Sequence, residues 1–297
     1  MLDNITPAGA IRKEFISEIP ALKHQHKISY LTWGNPDLPP LLCVHGLTMN
    51  GRDFNRLAQR LSDEFYVICP DMIGRGESEW VENKLLYNYG TYLHDLLGLL
   101  DHLKIQQLHW VGTSMGGILG MMAASHQPER IKALVINDIG KLIPKDALTY
   151  LTTYVGQSPT FSSWQMAEEY IKINWASFGI KAEDDWQEFI NNRLKNHNNN
   201  LISNYDQEIF AYYRQETKNF SEITDINLSE TWDKITCPIL LLHGETSDIL
   251  PTKVAEEMQQ DKGKLLTLKE FAGIGHAPAL LDEEQIKIVA DWVREHG

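Results

Sequence analysis

Between residues 28 and 137, short apolar runs alternate with stretches whose apolar positions recur every three or four residues. The runs at 28–33, 41–44, 66–69 and 108–111 are strand-length and rich in Leu, Val and Ile. The segment 92–103 instead has helical spacing, as does the Gly- and Met-rich segment 115–125. The run 133–137 is apolar at successive positions, as expected of a central strand buried on both faces. This alternation predicts βαβ units around a mostly parallel central sheet flanked by helices. From 141 to 234 the pattern changes to amphipathic helical stretches carrying Tyr150, Tyr154, Phe161, Trp164, Tyr170, Trp175, Phe178, Trp186 and Phe189, with no strands expected. Strand-like runs return at 238–243 and 265–268, and a helix over 282–294 closes the chain. The expected organisation is therefore a discontinuous α/β core, 1–140 and 235–297, interrupted by a helical insertion, 141–234. Aromatic residues at helical spacing are mostly core, so only two or three of those in the insertion are expected to face a site. The polar stretch 191–200 reads as an exposed loop or frayed helix end.

At 297 residues and 43% hydrophobic, the chain is long enough to bury a full core without disulfides or metals. Its formal net charge of -13 disfavours nucleic acid and anionic lipid as partners. The longest apolar-looking segment, 92–103, carries His94, Asp95, Asp101 and His102, so no membrane span is expected. Residues 1–15 lack a basic stretch followed by an apolar one, which makes the cytoplasm the expected location. Cys43, Cys69 and Cys237 each lie in or beside an apolar run, as buried reduced thiols do. His24 and His26 form an H-x-H pair with no third ligand at useful spacing, so no metal site is expected.

The chemistry concentrates where the run 108–111 turns into the helix at 115. Gly112 and Gly116 flank Ser114 in a G-x-S-x-G pattern, the signature of a sharp strand-to-helix turn that lifts a hydroxyl out of the fold. The same turn places the Met115 N–H at a helix N-terminus, where an unpaired donor can hold a developing oxyanion. A serine needs a base, and the base needs a carboxylate to orient it. His276 lies in a Gly- and Pro-punctuated loop after the last strand-like run. Asp248 lies in the turn after the preceding one. The resulting order, Ser, Asp, His, fits an elbow-type hydrolase. Asp138, ending the strand after the elbow helix, is the main rival for the acid, and Glu245 a weaker one; Asp248 is preferred because its turn follows the penultimate strand.

With Gly112 to Gly116, Asp248, His276, the pair His45-Gly46 and the loop from Asp71 to Ser78 (Asp-Met-Ile-Gly-Arg-Gly-Glu-Ser), nearly the whole chain resembles the α/β-hydrolase fold superfamily, of the type with a helical cap. The resemblance implies a serine esterase or lactonase-like hydrolase that needs no cofactor. It also implies a second oxyanion donor, the backbone N–H of Leu47, whose side chain would make the substrate pocket greasier. His45 is expected to fix its loop rather than act as a base. The 71–78 loop reads as a folded turn, with Arg75 able to face the entrance. The expected partner is a small ester, lactone or thioester, on a chain that can form a homo-oligomer. One rival is carbon–carbon bond hydrolysis of ring-cleavage products, whose enzymes usually carry Asn before the nucleophile; Thr113 stands there. Another is a catalytically inactive ligand-binding module. A histidine base further implies that activity falls on the acid side, where the imidazole is protonated.

Overall fold

The computed structural model describes residues 6–218 and 221–297, so the first five residues of the stretch read for a leader lie outside it. Along the first half run β1 (Ile11–Ile19), β2 (His24–Trp33), β3 (Pro40–Val44), α1 (Asn55–Leu61), β4 (Tyr66–Pro70), α2 (Tyr89–His102), β5 (Leu108–Thr113), α3 (Met115–His126) and β6 (Ile131–Asn137). The middle of the chain holds β7 (Leu142–Ile143), α4 (Lys145–Leu151), α5 (Trp164–Asn174), α6 (Glu183–Arg193), β8 (Leu194–His197), β9 (Asn200–Ser203), α7 (Ala211–Glu216), β10 (Ile226–Asn227) and α8 (Ser229–Asp233). β11 (Ile239–Gly244), α9 (Thr252–Lys262), β12 (Leu266–Phe271) and α10 (Glu283–Glu295) complete it.

Eight strands form one sheet in the order β1-β2-β4-β3-β5-β6-β11-β12, and only β2 pairs antiparallel with its neighbours. Strand pleating divides the core. Leu42, Val44, Leu134, Ile136, Ile239 and Leu241 pack with α2, α3, α8 and α9, whereas Leu41, Cys43, Ala133, Val135, Leu240 and Leu242 pack with α1 and α10. Strands buried on both faces explain why their sequences are continuous apolar runs without alternation. The expected mostly parallel sheet with flanking helices is the observed architecture. All three cysteines are buried and free.

Two departures from the pattern-based reading have physical causes. β1 was not anticipated: it is an edge strand in which the consecutive charges Arg12, Lys13 and Glu14, with Glu18, interrupt the apolar positions, so charge masks its periodicity. The middle segment also contains four short strands. β7 pairs with β10, and the supposed loop at 191–200 is the end of α6 followed by the β8–β9 hairpin. Its turn, Asn198-Asn199, has φ of 49° and 63°, the left-handed values a two-residue hairpin turn requires and asparagine tolerates.

Nor is that polar stretch merely solvent-facing. The Arg193 guanidinium donates to both oxygens of Asp53 at 3.1 and 3.2 Å, and the Asn192 carbonyl accepts from Asn50 at 2.5 Å and Arg52 at 3.0 Å. Arg56 bonds Asp185 and Glu188 of α6 and the Leu281 carbonyl. These contacts fasten α6 to the region around α1. Most of the aromatics form a separate cluster there, with Phe161, Trp175, Phe178 and Phe189 packed against Met49 and Leu281.

Burial outweighs pairing in the Asp53–Arg193 contact. It pushes the Asp53 carboxyl above its ordinary value although Arg193 pulls the other way, and it lowers Arg193 to about 10 although Asp53 opposes it. Arg193→Met is therefore expected to cost about 3–5 kcal/mol in urea unfolding by stranding Asp53. An Asp53→Leu, Arg193→Met double variant is expected to recover most of that loss. A double variant as unstable as the single would show that the ion pair itself stabilises the fold.

Candidate active site

The turn at Ser114 is forced by packing. Ser114 has φ 50° and ψ -112°, a conformation disfavoured for a side-chain-bearing residue, between the last residue of β5 and the first of α3. A Cβ on Gly112 would lie 2.2 Å from the Gly116 carbonyl oxygen, and one on Gly116 would lie 2.0 Å from the Val44 carbonyl oxygen. Glycine is thus the residue that lets β3, β5 and α3 meet so closely. The Trp110 indole N–H donates to the Gly116 carbonyl at 3.0 Å, fixing the first turn of α3 on its strand.

From Ser114 a line of hydrogen bonds runs across the ends of the strands. Ser114 Oγ lies 2.9 Å from His276 Nε2, and His276 Nδ1 lies 2.8 Å from Asp138 Oδ2. Asp138, at φ 57° just past the end of β6, is fully buried. Its carboxylate also accepts from the Gly244 N–H at 2.7 Å and the Ser247 hydroxyl at 2.6 Å. Three hydrogen bonds on one carboxyl group lock its orientation. Next to it, Asn137 Nδ2 donates to Thr113 Oγ1 at 3.1 Å and to the Pro278 carbonyl at 2.9 Å, tying the serine strand to the histidine loop.

Sequence order favoured Asp248 as the partner of His276; the hydrogen bond belongs to Asp138. Asp248 is exposed and lines the cavity in front of Ser114. Because β6 and β11 are neighbours, turns after either strand lie beside the histidine loop, and both aspartates satisfy the order Ser, Asp, His. The turn after β11 supplies Gly244 and Ser247, which hold Asp138. Glu245 instead accepts from the Gly273 N–H at 2.7 Å, away from the line.

The two expected oxyanion donors are held by separate devices. Met115 is the first residue of α3, so its N–H has no intrahelical acceptor. The peptide joining Gly46 to Leu47 has its carbonyl occupied by His45 Nδ1 at 2.6 Å and the Met49 N–H at 3.1 Å. A trans, planar peptide then presents the Leu47 N–H on the opposite edge. This turn lies against the serine, since a Cβ on Gly46 would be 3.8 Å from Ser114 Cβ. Leu47, Ser114, Met115 and His276 all line one cavity of about 470 Å³.

His45 is fully buried, and its Nε2 accepts from the Met72 N–H at 3.0 Å, so the ring is neutral with its proton on Nδ1. Burial pushes its pKa down to about 3; the Gly46 carbonyl opposes this, and the Arg75 and Arg193 cations reinforce it. Arg75 does not face the entrance as the resemblance allowed. It is fully buried, donating through Nε to the Leu47 carbonyl at 2.9 Å and through Nη1 to the Ile73 carbonyl at 2.7 Å and the Tyr92 hydroxyl at 2.8 Å. The 71–78 loop is a folded turn around Asp71, which accepts from the N–H groups of Gly51 and Glu77 at 2.7 and 2.9 Å. Arg75 as a buried brace was the site residue least visible in the sequence. The signal available was its position between Gly74 and Gly76, both at positive φ, which turns the backbone inward.

Seven aromatics of the middle segment line the cavity, more than the two or three expected: Tyr150, Tyr154, Trp175 and Phe178, together with Phe210, Tyr212 and Tyr213. Its walls are mainly aliphatic and aromatic, and among the described lining residues Asp248 and His276 are the ionisable carboxyl and imidazole, with no Lys or Arg.

Comparisons with known proteins bear on the fold that carries this geometry. The sequence model described as "alpha/beta hydrolase fold" matches residues 39–283. A 3-hydroxybutyrate-oligomer hydrolase of Cupriavidus necator is 32% identical over 272 residues, covering 90% of this chain and 92% of that protein. A solved structure from Rickettsia typhi superposes with a TM-score of 0.86 at 33% identity, covering 96% of this chain and 99% of the other. An alpha/beta hydrolase from Novosphingobium aromaticivorans gives 0.87 at 29% identity, covering 98% and 100%. No helix among the described residues is long and apolar enough to cross a membrane.

The neutral state of His45 carries a consequence for stability. Its pKa is lower in the folded chain than the ordinary 6.5 of the unfolded one, so its contribution is fully present above pH 6.5 and is lost as pH falls toward 3. Across that window the wild type is expected to lose about 1.4 kcal/mol per pH unit more than His45→Gln in unfolding free energy. Parallel pH dependences for the two proteins would sink this assignment.

Proposed function

The chain belongs to the alpha/beta hydrolase fold family, and on that premise we propose that it hydrolyses carboxylic esters through an acyl-enzyme on Ser114. The observation that carries the reading is the continuous line from Ser114 Oγ through His276 to Asp138, with contacts of 2.9 and 2.8 Å. His276 Nε2 accepts the hydroxyl proton as Ser114 attacks the acyl carbon. Asp138 holds Nδ1–H and stabilises the imidazolium that forms, without taking the proton itself. The N–H groups of Leu47 and Met115 receive the negative charge on the former carbonyl oxygen. As the intermediate collapses, His276 returns the proton to the departing alcohol. Water then attacks the acyl-enzyme by the same route and releases the acid, regenerating Ser114.

Several features support an ester over other acyl compounds. The cavity is mainly apolar, and its described lining residues include no lysine or arginine that would draw in an anionic acyl donor. The Cupriavidus necator relative is named for hydrolysis of 3-hydroxybutyrate oligomers, which makes short hydroxy-acid esters with the terminal acid itself esterified, and so uncharged, the first compounds to assay. A serine at the elbow does not fit chemistry that begins with a carboxylate nucleophile.

A p-nitrophenyl ester assay with fluorophosphonate labelling tests the reading. Ser114→Ala is expected to abolish both turnover and labelling. Asp138→Asn is expected to lower kcat by about 10³–10⁴-fold by misorienting the imidazole. Asp248→Asn, which removes no contact to His276, is expected to cost less than about tenfold, within the range of a cavity-lining change. An unlabelled, inactive wild type would leave a binding module as the better description. Larger damage from Asp248→Asn than from Asp138→Asn would overturn the choice of acid.

A further inference from the structure

Seven tyrosines line the cavity, and their hydroxyls are not equivalent. That of Tyr87 donates to Asp206 at 2.7 Å and accepts from the Val81 N–H at 3.1 Å, while that of Tyr92 accepts from Arg75. Tyr150 and Tyr212 are exposed at the surface. Tyr89 and Tyr154 differ from all of these. Each lines the cavity with a half-buried ring, and neither hydroxyl has a hydrogen-bond partner among the described residues. They come from separate walls: Tyr89 begins α2 and packs edge-on against Tyr92, whereas Tyr154 follows α4 and packs edge-on against Trp175.

A phenol inside an apolar cavity is costly when a bound ligand strips its water without returning a hydrogen bond. Phenylalanine would serve as well if these positions only needed to be greasy. Burial raises the pKa of both groups above the ordinary phenol value, with neighbouring tyrosines adding to it and, for Tyr154, the Asp248 carboxylate. Both therefore remain protonated and available as donors at neutral pH.

We propose that Tyr89 and Tyr154 are specificity-determining donors, and that the preferred substrate is an uncharged, mostly apolar ester whose bound chain carries a second hydrogen-bond acceptor, such as another ester carbonyl. This rests on the ester-hydrolase reading and adds to it the feature by which one ester is told from another. An anionic chain finds no cationic side chain among the lining residues and meets the carboxylate of Asp248. A plain hydrocarbon chain fills the volume but leaves the two hydroxyls unpaired. A chain with a second ester satisfies both demands, because a carbonyl accepts without bringing a charge.

The test compares kcat/KM for two p-nitrophenyl esters of equal heavy-atom count. One carries a β-acetoxy acyl chain; the other is its hydrocarbon isostere, with CH2 and CH(CH3) in place of the second ester's oxygen and carbonyl. The isostere is the more hydrophobic, so simple apolar burial favours it. The wild type is nevertheless expected to prefer the acetoxy ester by about tenfold, the effect of one or two neutral hydrogen bonds kept against lost. In Tyr89→Phe, Tyr154→Phe the ratio is expected to fall to one or below, as apolar burial alone dictates. Because the ratio is internal to each protein, a general loss of activity does not move it. A wild type that prefers the isostere, or a double variant that retains the preference, overturns the proposal even with ester hydrolysis intact. A choline ester preferred over both neutral compounds would also overturn it, pointing to cation recognition by Asp248 and the aromatic rings. If neither p-nitrophenyl ester is hydrolysed and Ser114 is not labelled, the hydrolase reading itself fails.

Discussion

The site depends on how closely the N-terminus of α3 approaches the ends of β3 and β5. Two positions without a side chain, Gly112 and Gly116, permit that approach; a Cβ at either would lie within 2.2 Å of a backbone oxygen. Three consequences follow from the one contact. The backbone at Ser114 must turn sharply, so its hydroxyl projects from the sheet edge. The first N–H groups of α3 lie beside that hydroxyl. The turn after β3, with Gly46 and Leu47, is brought against it. The proposed nucleophile and the proposed oxyanion donors therefore share one steric origin, and adding a methyl group at either glycine would disturb both.

Around this apolar contact the chain has buried a layer of polar groups, each with a directional task. His45 occupies the carbonyl of the peptide whose N–H is the proposed oxyanion donor, and Arg75 occupies the next carbonyl along while bracing Tyr92. Asp71 gathers two backbone donors from separate turns. Burial of such groups adds little to net stability, as the pKa shifts of His45 and Asp71 toward their neutral forms indicate. What they supply is orientation. Loops at the end of a parallel sheet are otherwise free to move by an ångström, and an oxyanion donor displaced that far loses most of its effect.

Much of this was legible in the sequence, and the parts that were not have a common cause. Buried strands announce themselves as apolar runs because both faces need covering, so the parallel sheet could be read from Leu41, Leu134 and Ile239 and their neighbours. Ser114 and His276 could be picked out because glycine spacing and loop position are local properties. β1 was missed because an edge strand needs only a partial apolar face. The 191–200 stretch misled because Asn192 and Arg193 use their polarity to bind Arg52 and Asp53 rather than water, a tertiary fact with no local marker. Arg75 was misplaced for the same reason.

The choice between Asp138 and Asp248 shows the limit most sharply. Chain order constrains the sequence of elements, whereas orientation of an imidazole constrains a point in space. β6 and β11 are adjacent and parallel, with Leu242 opposite Asn137, so the turns leaving them converge on the same point. A carboxylate from either turn can meet the histidine loop. Occupation of the point is decided by local donors. Here the β11 turn presents the Gly244 N–H and the Ser247 hydroxyl to Asp138 and leaves Asp248 at the surface of the cavity. The β11 turn thus supports the carboxylate that meets His276 and does not supply it. That division frees Asp248 to act on what enters the cavity, where among the described lining residues it is the one carboxylate, in walls otherwise built of neutral side chains and the imidazole of His276.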